Sequence, residues 1–269
     1  MRRFLLSLVI GAVFLFNTLS VTAEGLNTKA AFDTSALNTG VIGISYNSDV
    51  EKIKVMVEKS GKRYTYNLNN DGIEESFSLQ MGNGEYKVSV LENIGGDKYK
   101  YISSENVTLN LSDANEVYLT SVQNINWDNE NTAIKKAQEL VKGLTNDQDR
   151  IKAIYDYIVG NFSYDYAKLN NLKSDYLPDI DLTVNSNTGI CYDYASTFAA
   201  MLRSLDIPAK LVKGYATNVD GYHAWNEVYN EDTKSWMVID TTYDSQMRAA
   251  KIKYNMEKKD GQYTKVNEY

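Results

Sequence analysis

The chain has 269 residues, with 28 Lys and Arg against 35 Asp and Glu and a formal net charge of −7. An acidic balance without a basic block argues against nucleic-acid binding. A content of 43% hydrophobic and 12% aromatic residues argues against disorder.

The first residues, MRRFLLSLVIGAVFLFNTLSVTAEG, combine Arg2 and Arg3, an apolar run over 4–16 and the small-x-small ending Val21-Thr22-Ala23. That is the pattern of an export signal over 1–23, cleaved after Ala23. The apolar core is shorter than the roughly 20 residues of a spanning helix, so no stable membrane insertion is expected after cleavage. The expected location is secreted, extracellular or cell-wall associated. The chain has one cysteine, Cys191, so no internal disulfide can form.

Residues 24–126 read as an all-β domain. Alternating, β-branched and aromatic segments predict strands over 40–46, 52–58, 63–68, 75–79, 86–91, 99–102, 107–111 and 117–122. Asn70-Asp71-Gly72, Gly82-Asn83-Gly84 and Gly95-Gly96-Asp97 supply turns between them. Short, evenly spaced strands predict an immunoglobulin-like sandwich, without the disulfide or the core tryptophan. Asn67-x-Asn69-x-Asp71-Gly72 echoes a calcium loop but has no aspartate at its first ligand position, and Ser78 stands where the last acidic ligand belongs. It reads as a hairpin turn, and no metal or cofactor is expected.

The pattern changes near 123–130, and residues 127–269 read as an α+β domain. A helix is predicted from Asn131 or Thr132 to about 142. Thr145-Asn146-Asp147-Gln148 reads as a capping box opening a second, whose apolar face is Ile151, Ile154, Tyr155, Ile158, Val159 and Phe162. Residues 163–190 are polar and Tyr-rich without a long periodic element, a candidate cleft wall or lid. A third helix follows over 191–205, stopped by Asp206-Ile207-Pro208. Strands are predicted over 209–217, 222–229 and 235–241, with a last hairpin around Lys259-Asp260-Gly261.

Cys191 stands at the start of the third helix, after Thr188-Gly189-Ile190. Helix N-termini favour anions, and the thiolate is the nucleophilic form of cysteine. A buried, inert thiol is the alternative. The only histidine, His223, lies in YHAWNEVY. If Asn230-Glu231-Asp232-Thr233 forms a four-residue loop, Tyr229 pairs with Lys234, Glu227 with Trp236, Trp225 with Val238 and His223 with Asp240. Opposed residues share a face, so Asp240 would orient the imidazole as a Cys-His-acid triad requires. Asp240 as a simple turn cap is the alternative. Trp225 and Trp236 fall on the same face and are candidate cleft residues, or core.

GICYDYASTFAAMLRSLDIPAKLVKGY, HAWNEVY and WMVIDTTYD together resemble the three blocks of the transglutaminase-like core domain, a bacterial secreted branch of the papain-like cysteine enzymes. The resemblance covers about 133–244. It implies a papain-like core, in which a helix bearing the cysteine packs on an antiparallel sheet. It also implies Cys191 as nucleophile, His223 as general base and acid, and Asp240 as orienting residue. The oxyanion-stabilising tryptophan of animal transglutaminases has no counterpart nearer than Trp127, so Tyr164 or Tyr166 is the candidate substitute, with the Cys191 N–H. The expected function is secreted thiol acyl transfer on amide groups of extracellular or cell-surface protein or peptide. The alternatives are a cysteine peptidase or amidase and a non-catalytic surface-binding protein.

Overall fold

The computed structural model describes residues 29–259 and 261–269. The predicted export signal and Asp260 of the predicted last turn lie outside the described residues. The N-terminal strands are β1 (Ala31–Asp33), β2 (Val41–Ser45), β3 (Ile53–Lys59), β4 (Lys62–Leu68), β5 (Glu75–Ser78), β6 (Gly84–Gly95) and β7 (Lys98–Leu109). They form two antiparallel sheets, in the orders β1-β2-β5 and β4-β3-β6-β7. Period-two alternation drives this: Ile53, Val55 and Val57 of β3 and Tyr86, Val88 and Val90 of β6 are buried, as a sheet with one apolar face requires. Between β3 and β4, Ser60 and Gly61 both take positive φ, 50° and 82°. That is the two-residue hairpin turn whose twist matches its strands.

The two sheets meet through side chains. Tyr66 of β4 packs edge-on against Phe77 of β5, with ring centroids 5.1 Å apart. The Tyr86 hydroxyl, at the start of β6, lies 2.7 Å from the carbonyls of both Leu79 and Gly82, in the connection leading into its own strand.

Two expectations need correction here, and one strand was not expected. The separate strands at 99–102 and 107–111 are one twelve-residue strand, β7. The polar residues between them stay in the ladder against β6, with the irregularity absorbed by a register shift at Val90/Leu91. β1 was not foreseen. The strand expected at 117–122 is instead a 3-10 turn, Glu116–Tyr118, followed by an isolated bridge between Val122 and Ile125. Its apolar residues Val117 and Tyr118 are buried by packing onto other elements rather than by pairing.

The C-terminal elements are α1 (Thr132–Leu140), α2 (Asp147–Asn161), β8 (Ser163–Tyr164), α3 (Tyr166–Asn170), α4 (Ile180–Ser186), β9 (Thr188–Gly189) and α5 (Cys191–Arg203). They continue with β10 (Ala209–Ala216), β11 (Val219–Asn230), β12 (Ser235–Ile239), α6 (Thr241–Ala249) and β13 (Tyr263–Glu268). β10 to β13 form an antiparallel sheet in the order β12-β11-β10-β13, while β8 and β9 pair in parallel. The cap of α2 is Asn146, whose Oδ1 accepts from the Asp149 N–H at 2.8 Å, one residue later than the predicted box. The segment 163–190 holds α3 and α4, which Asp165 and Asp179 cap through the N–H groups of Lys168 and Leu182. Short capped helices have too few residues for a periodic signal.

Helix α5 is buried on every side from Tyr192 to Arg203, as expected of a helix enclosed by other elements. Asn226 of β11 donates to the Ala195 carbonyl on its underside at 2.9 Å. At its C-terminal end the guanidinium of Arg203 donates to three backbone carbonyls: Ala209 at 2.8 Å, Thr120 at 2.7 Å and Tyr269 at 2.9 Å. Asn124 bridges the same way, donating to the Tyr192 hydroxyl at 2.7 Å while its carbonyl accepts from Ser196 Oγ at 2.9 Å. One apolar cluster runs through both groups of elements. No helix among the described residues is long and apolar enough to cross a membrane.

Candidate active site

The approach to α5 is built from backbone geometry. Asn187 takes the left-handed conformation, φ 52°, and ends α4. Two residues on, a Cβ at Gly189 would sit 2.7 Å from Asp193 Cβ, so only glycine lets the Asp193 side chain fold back over the helix start. Asp193 is fully buried. Its Oδ2 accepts from the Ile190 N–H at 2.8 Å and from Lys168 Nζ at 2.9 Å, and its Oδ1 accepts from the Tyr176 hydroxyl. Ile190, the cap residue, has no side-chain acceptor, so Asp193 supplies the reciprocal half of a capping arrangement. Cys191 follows as the first helical residue, a free and partly buried thiol.

His223 Nε2 lies 2.7 Å from Asp240 Oδ2, with His223 4% and Asp240 0% exposed. Asp240 Oδ2 also accepts from the Tyr263 hydroxyl at 2.9 Å, and Asp240 Oδ1 accepts from the Tyr243 N–H at 2.9 Å, capping α6. The carboxylate is therefore both turn cap and histidine partner. Burial opposes a charge on the His223 ring, but Asp240 and then Cys191 outweigh it and push its pKa up to about 10. A proton can thus reside on the imidazole between a buried carboxylate and the sulfur of Cys191 through neutral pH.

The structure joins His223 and Asp240, though in a register different from the predicted one. Asn230 pairs with Ser235, Tyr229 with Trp236, Glu227 with Val238 and Asn226 with Ile239. The loop is 231–234: Asn230 stays in the strand while its Oδ1 accepts from the N–H groups of Asp232 and Thr233, and Lys234 takes a positive φ of 52°. The slip is two residues. Because side chains alternate with period two, an even slip preserves faces, and Asp240 becomes a diagonal rather than a directly opposed neighbour of His223.

The other candidates separate. Tyr164, paired in register with Gly189, lies against Cys191. Burial raises its pKa, with the charge of the Cys191 sulfur adding to the effect. Tyr166 is 62% exposed, and its hydroxyl lies 3.3 Å from Gln246 Oε1, so it is not brought to the sulfur. Trp225 stacks near His223, with centroids 6.3 Å apart and planes 25° apart, and is buried against Tyr263 at 5.0 Å. It is a wall behind the histidine. Trp236 is on the predicted face but at the far end of the sheet, between Tyr118 and Tyr229, each 5.3 Å away. It stands four residues along the same strand from Asp240 in either register, and the slip moves it two residues further from His223.

Two residues at the site were not anticipated. Tyr263 reaches Asp240 from β13, the edge strand that closes the sheet beyond the turn expected around Lys259-Asp260-Gly261. Lys213 of β10 sits with Nζ 3.5 Å from the ring centroid of Tyr192, the residue after Cys191. It lies within the block LVKGY, where a lysine in a buried strand was itself a signal.

Residues 134–241 match the family model of the Transglutaminase-like superfamily. "Uncharacterized protein YebA" of Bacillus subtilis strain 168 is 29% identical over an alignment of 129 residues that covers 40% of this chain and 17% of that protein. The chain therefore spans a small part of that relative's length. Among solved structures, a "Putative Cysteine Protease" from Cytophaga hutchinsonii superposes with a TM-score of 0.46 at 18% identity, covering 84% of this chain and 73% of that one. A protein described as a TGase superposes with a TM-score of 0.33 at 23% identity, covering 41% and 30%.

Proposed function

We propose that the transglutaminase-like segment, residues 134–241, works as a thiol acyltransferase on amide groups, with Cys191 as nucleophile, His223 as base and acid, and Asp240 as orienting residue. The observation that carries this reading is the 2.7 Å contact between His223 Nε2 and the fully buried Asp240, with the Cys191 sulfur near enough to the ring to help raise its pKa. Asp240 fixes the tautomer, so that the ring nitrogen facing sulfur manages the proton. The Cys191 thiolate adds to the amide carbonyl, and the oxyanion is taken up by the Cys191 N–H and the Tyr164 hydroxyl. The C–N bond breaks as His223 delivers its proton to the leaving amine, and a thioester remains on Cys191. An incoming amine, losing its proton to His223, forms a new amide and frees the thiol. Water in its place gives hydrolysis.

The test is incubation with a glutamine donor and a fluorescent primary amine. Incorporation by the native protein that disappears in Cys191→Ala supports the reading. Incorporation that persists in Cys191→Ala ends it. Mass gain by amine addition, as opposed to cleavage or a one-dalton deamidation, separates transfer from the amidase or peptidase alternative. An unreactive Cys191 would favour a non-catalytic binding protein.

We further read residues 24–126 as an immunoglobulin-like sandwich that precedes a catalytic domain over 127–269. The strand orders β1-β2-β5 and β4-β3-β6-β7 support this. So does the Tyr86 hydroxyl beside the Leu79 and Gly82 carbonyls, the tyrosine-corner arrangement at the strand leading out of β5's sheet. If 1–23 acts as an export signal, the substrate is extracellular or cell-wall protein or peptide, and N-terminal sequencing of secreted material starting at Glu24 would support that.

A further inference from the structure

Lys213 stands apart from the other partly buried lysines around the site. Lys168 is paired with Asp193, Lys258 with Asp244, and Lys210 with Glu227 and Glu268. Lys213 Nζ has no hydrogen bond and no ion pair among the described residues. It rests instead on aromatic faces, 3.5 Å from the centroid of Tyr192 and 5.2 Å from that of Tyr269. Burial pushes its pKa down to about 8, with the Cys191 sulfur opposing the shift. A cation held away from water without a counter-ion is unfavourable unless something completes it.

Its position says what that something is near. Tyr192 follows Cys191 in α5, and Lys213 pairs in register with Ala224, on the sheet face from which Asn226 reaches α5. The unpaired ammonium therefore lies on the helix side of the sheet, over the residue next to the proposed nucleophile. Its strand partner on the other side is Asn267, whose amide lies 3.4 Å from the Tyr222 hydroxyl. Neutral polar groups and one cation make a surround suited to a single negative charge. A carboxylate matches one ammonium in charge, whereas a phosphate carries more charge and recruits several cationic donors.

We propose that Lys213 is the anion-recognising residue of a carboxylate subsite beside Cys191, selecting amide donors that carry a free carboxylate next to the amide attacked. The subsite rests on Cys191 being the nucleophile, and it narrows the substrate class to acidic peptides or peptide stems with a free carboxyl group. Bound substrate would complete the ammonium and pull it toward its charged form.

The experiment uses the whole protein and two small alkylating agents that differ in charge. Cys191 is the only cysteine, so intact-mass alkylation rates report on it alone. Iodoacetate presents a carboxylate, and iodoacetamide has the same reactive carbon without one. The ratio of their rates cancels changes in thiol reactivity and isolates recognition of the charge. At pH 7, Lys213→Met should lower the iodoacetate-to-iodoacetamide ratio about tenfold, and Lys213→Arg should keep it within about twofold of the native value. In the native protein the same ratio should fall between pH 7 and pH 9, as Lys213 deprotonates while His223 keeps its proton, so the test survives a variant that does not fold. A ratio unchanged by Lys213→Met, or flat over that pH range, with brisk iodoacetamide reaction, overturns the subsite and leaves the nucleophile standing. A native protein inert to both reagents overturns the nucleophile and the subsite with it.

Discussion

Two lysines three residues apart on β10 meet aromatic rings on opposite faces of one sheet, and they are treated differently. Lys210 lies 4.7 Å from the centroid of Tyr118 and 4.1 Å from that of Trp236, and it has carboxylates at 3.5 Å in Glu227 and 3.3 Å in Glu268. Lys213, on the face that packs α5, has rings without carboxylates. Lys210 is answered within the fold by Glu227 and Glu268. Beside α5 a charge is left open, which is where an incoming ligand can add interaction free energy that the fold does not already hold.

The sharpest break of this comparison is at the acid. Asp240→Asn should keep the α6 cap, because asparagine caps about as well as aspartate, yet lower the amine-incorporation rate on the order of 10³- to 10⁴-fold, as loss of the orienting carboxylate does in triad enzymes. Retention of helical circular dichroism alongside the lost rate is the check. An unchanged rate would reduce Asp240 to a cap.

On the satisfied face, Lys210→Ala should cost about 2–3 kcal/mol in urea unfolding by stranding partly buried acids, softened by Lys265, which also reaches Glu227 and Glu268. Iodoacetamide alkylation of Cys191 should not change. Lys213→Met should instead leave stability at pH 7 equal or higher. The Lys213 pKa is depressed from 10.5 to about 8. The native side chain is therefore destabilising below about pH 8, where it is charged in both states, and that handicap disappears as pH rises to about 10.5. Melting curves of native and variant should converge over that window.

His223 runs the other way. Its pKa is raised from 6.5 to about 10, so its contribution is complete below about pH 6.5 and is lost as pH rises through about 10. The stability difference between the native protein and His223→Gln should narrow across that range. The smallest effect belongs to Tyr263→Phe, which removes one hydrogen bond to Asp240, about 1 kcal/mol. A several-fold drop in rate, with substrate half-saturation unchanged, would mark Tyr263 as a positioning residue for the pair.

The site was legible in the sequence to the extent that alternation governs it. Cys191 at the start of a helix could be read from NTGIC, and the face shared by His223 and Asp240 survived a two-residue error in register because pleating repeats every two residues. Trp236 was lost to the same slip, since distance along a strand has no such protection. What set the true register was a side-chain act, Asn230 turning back on the loop, together with Lys234 at positive φ. Neither has a strong sequence signature in a lysine. The 3-10 turn at 116–118 escaped for a related reason: Val117 and Tyr118 look like strand residues, and only the presence of Trp236 and Lys210 across the interface makes them packing residues. Tyr263 and Lys213 were hidden because their partners, Asp240 at the cap of α6 and Tyr192 in α5, lie on elements that no hairpin links to theirs.

The three carbonyls gripped by Arg203 belong to residues 120, 209 and 269. During synthesis those positions emerge far apart in time, and the last of them appears after every residue of the triad. The helix that presents Cys191 thus receives its final anchor late, when β13 has docked beside β10 and brought Tyr263 to Asp240. On the proposed reading, Cys191 would gain Tyr263 behind its His223–Asp240 pair only once β13 has docked, and a half-folded chain would carry the thiol without that support.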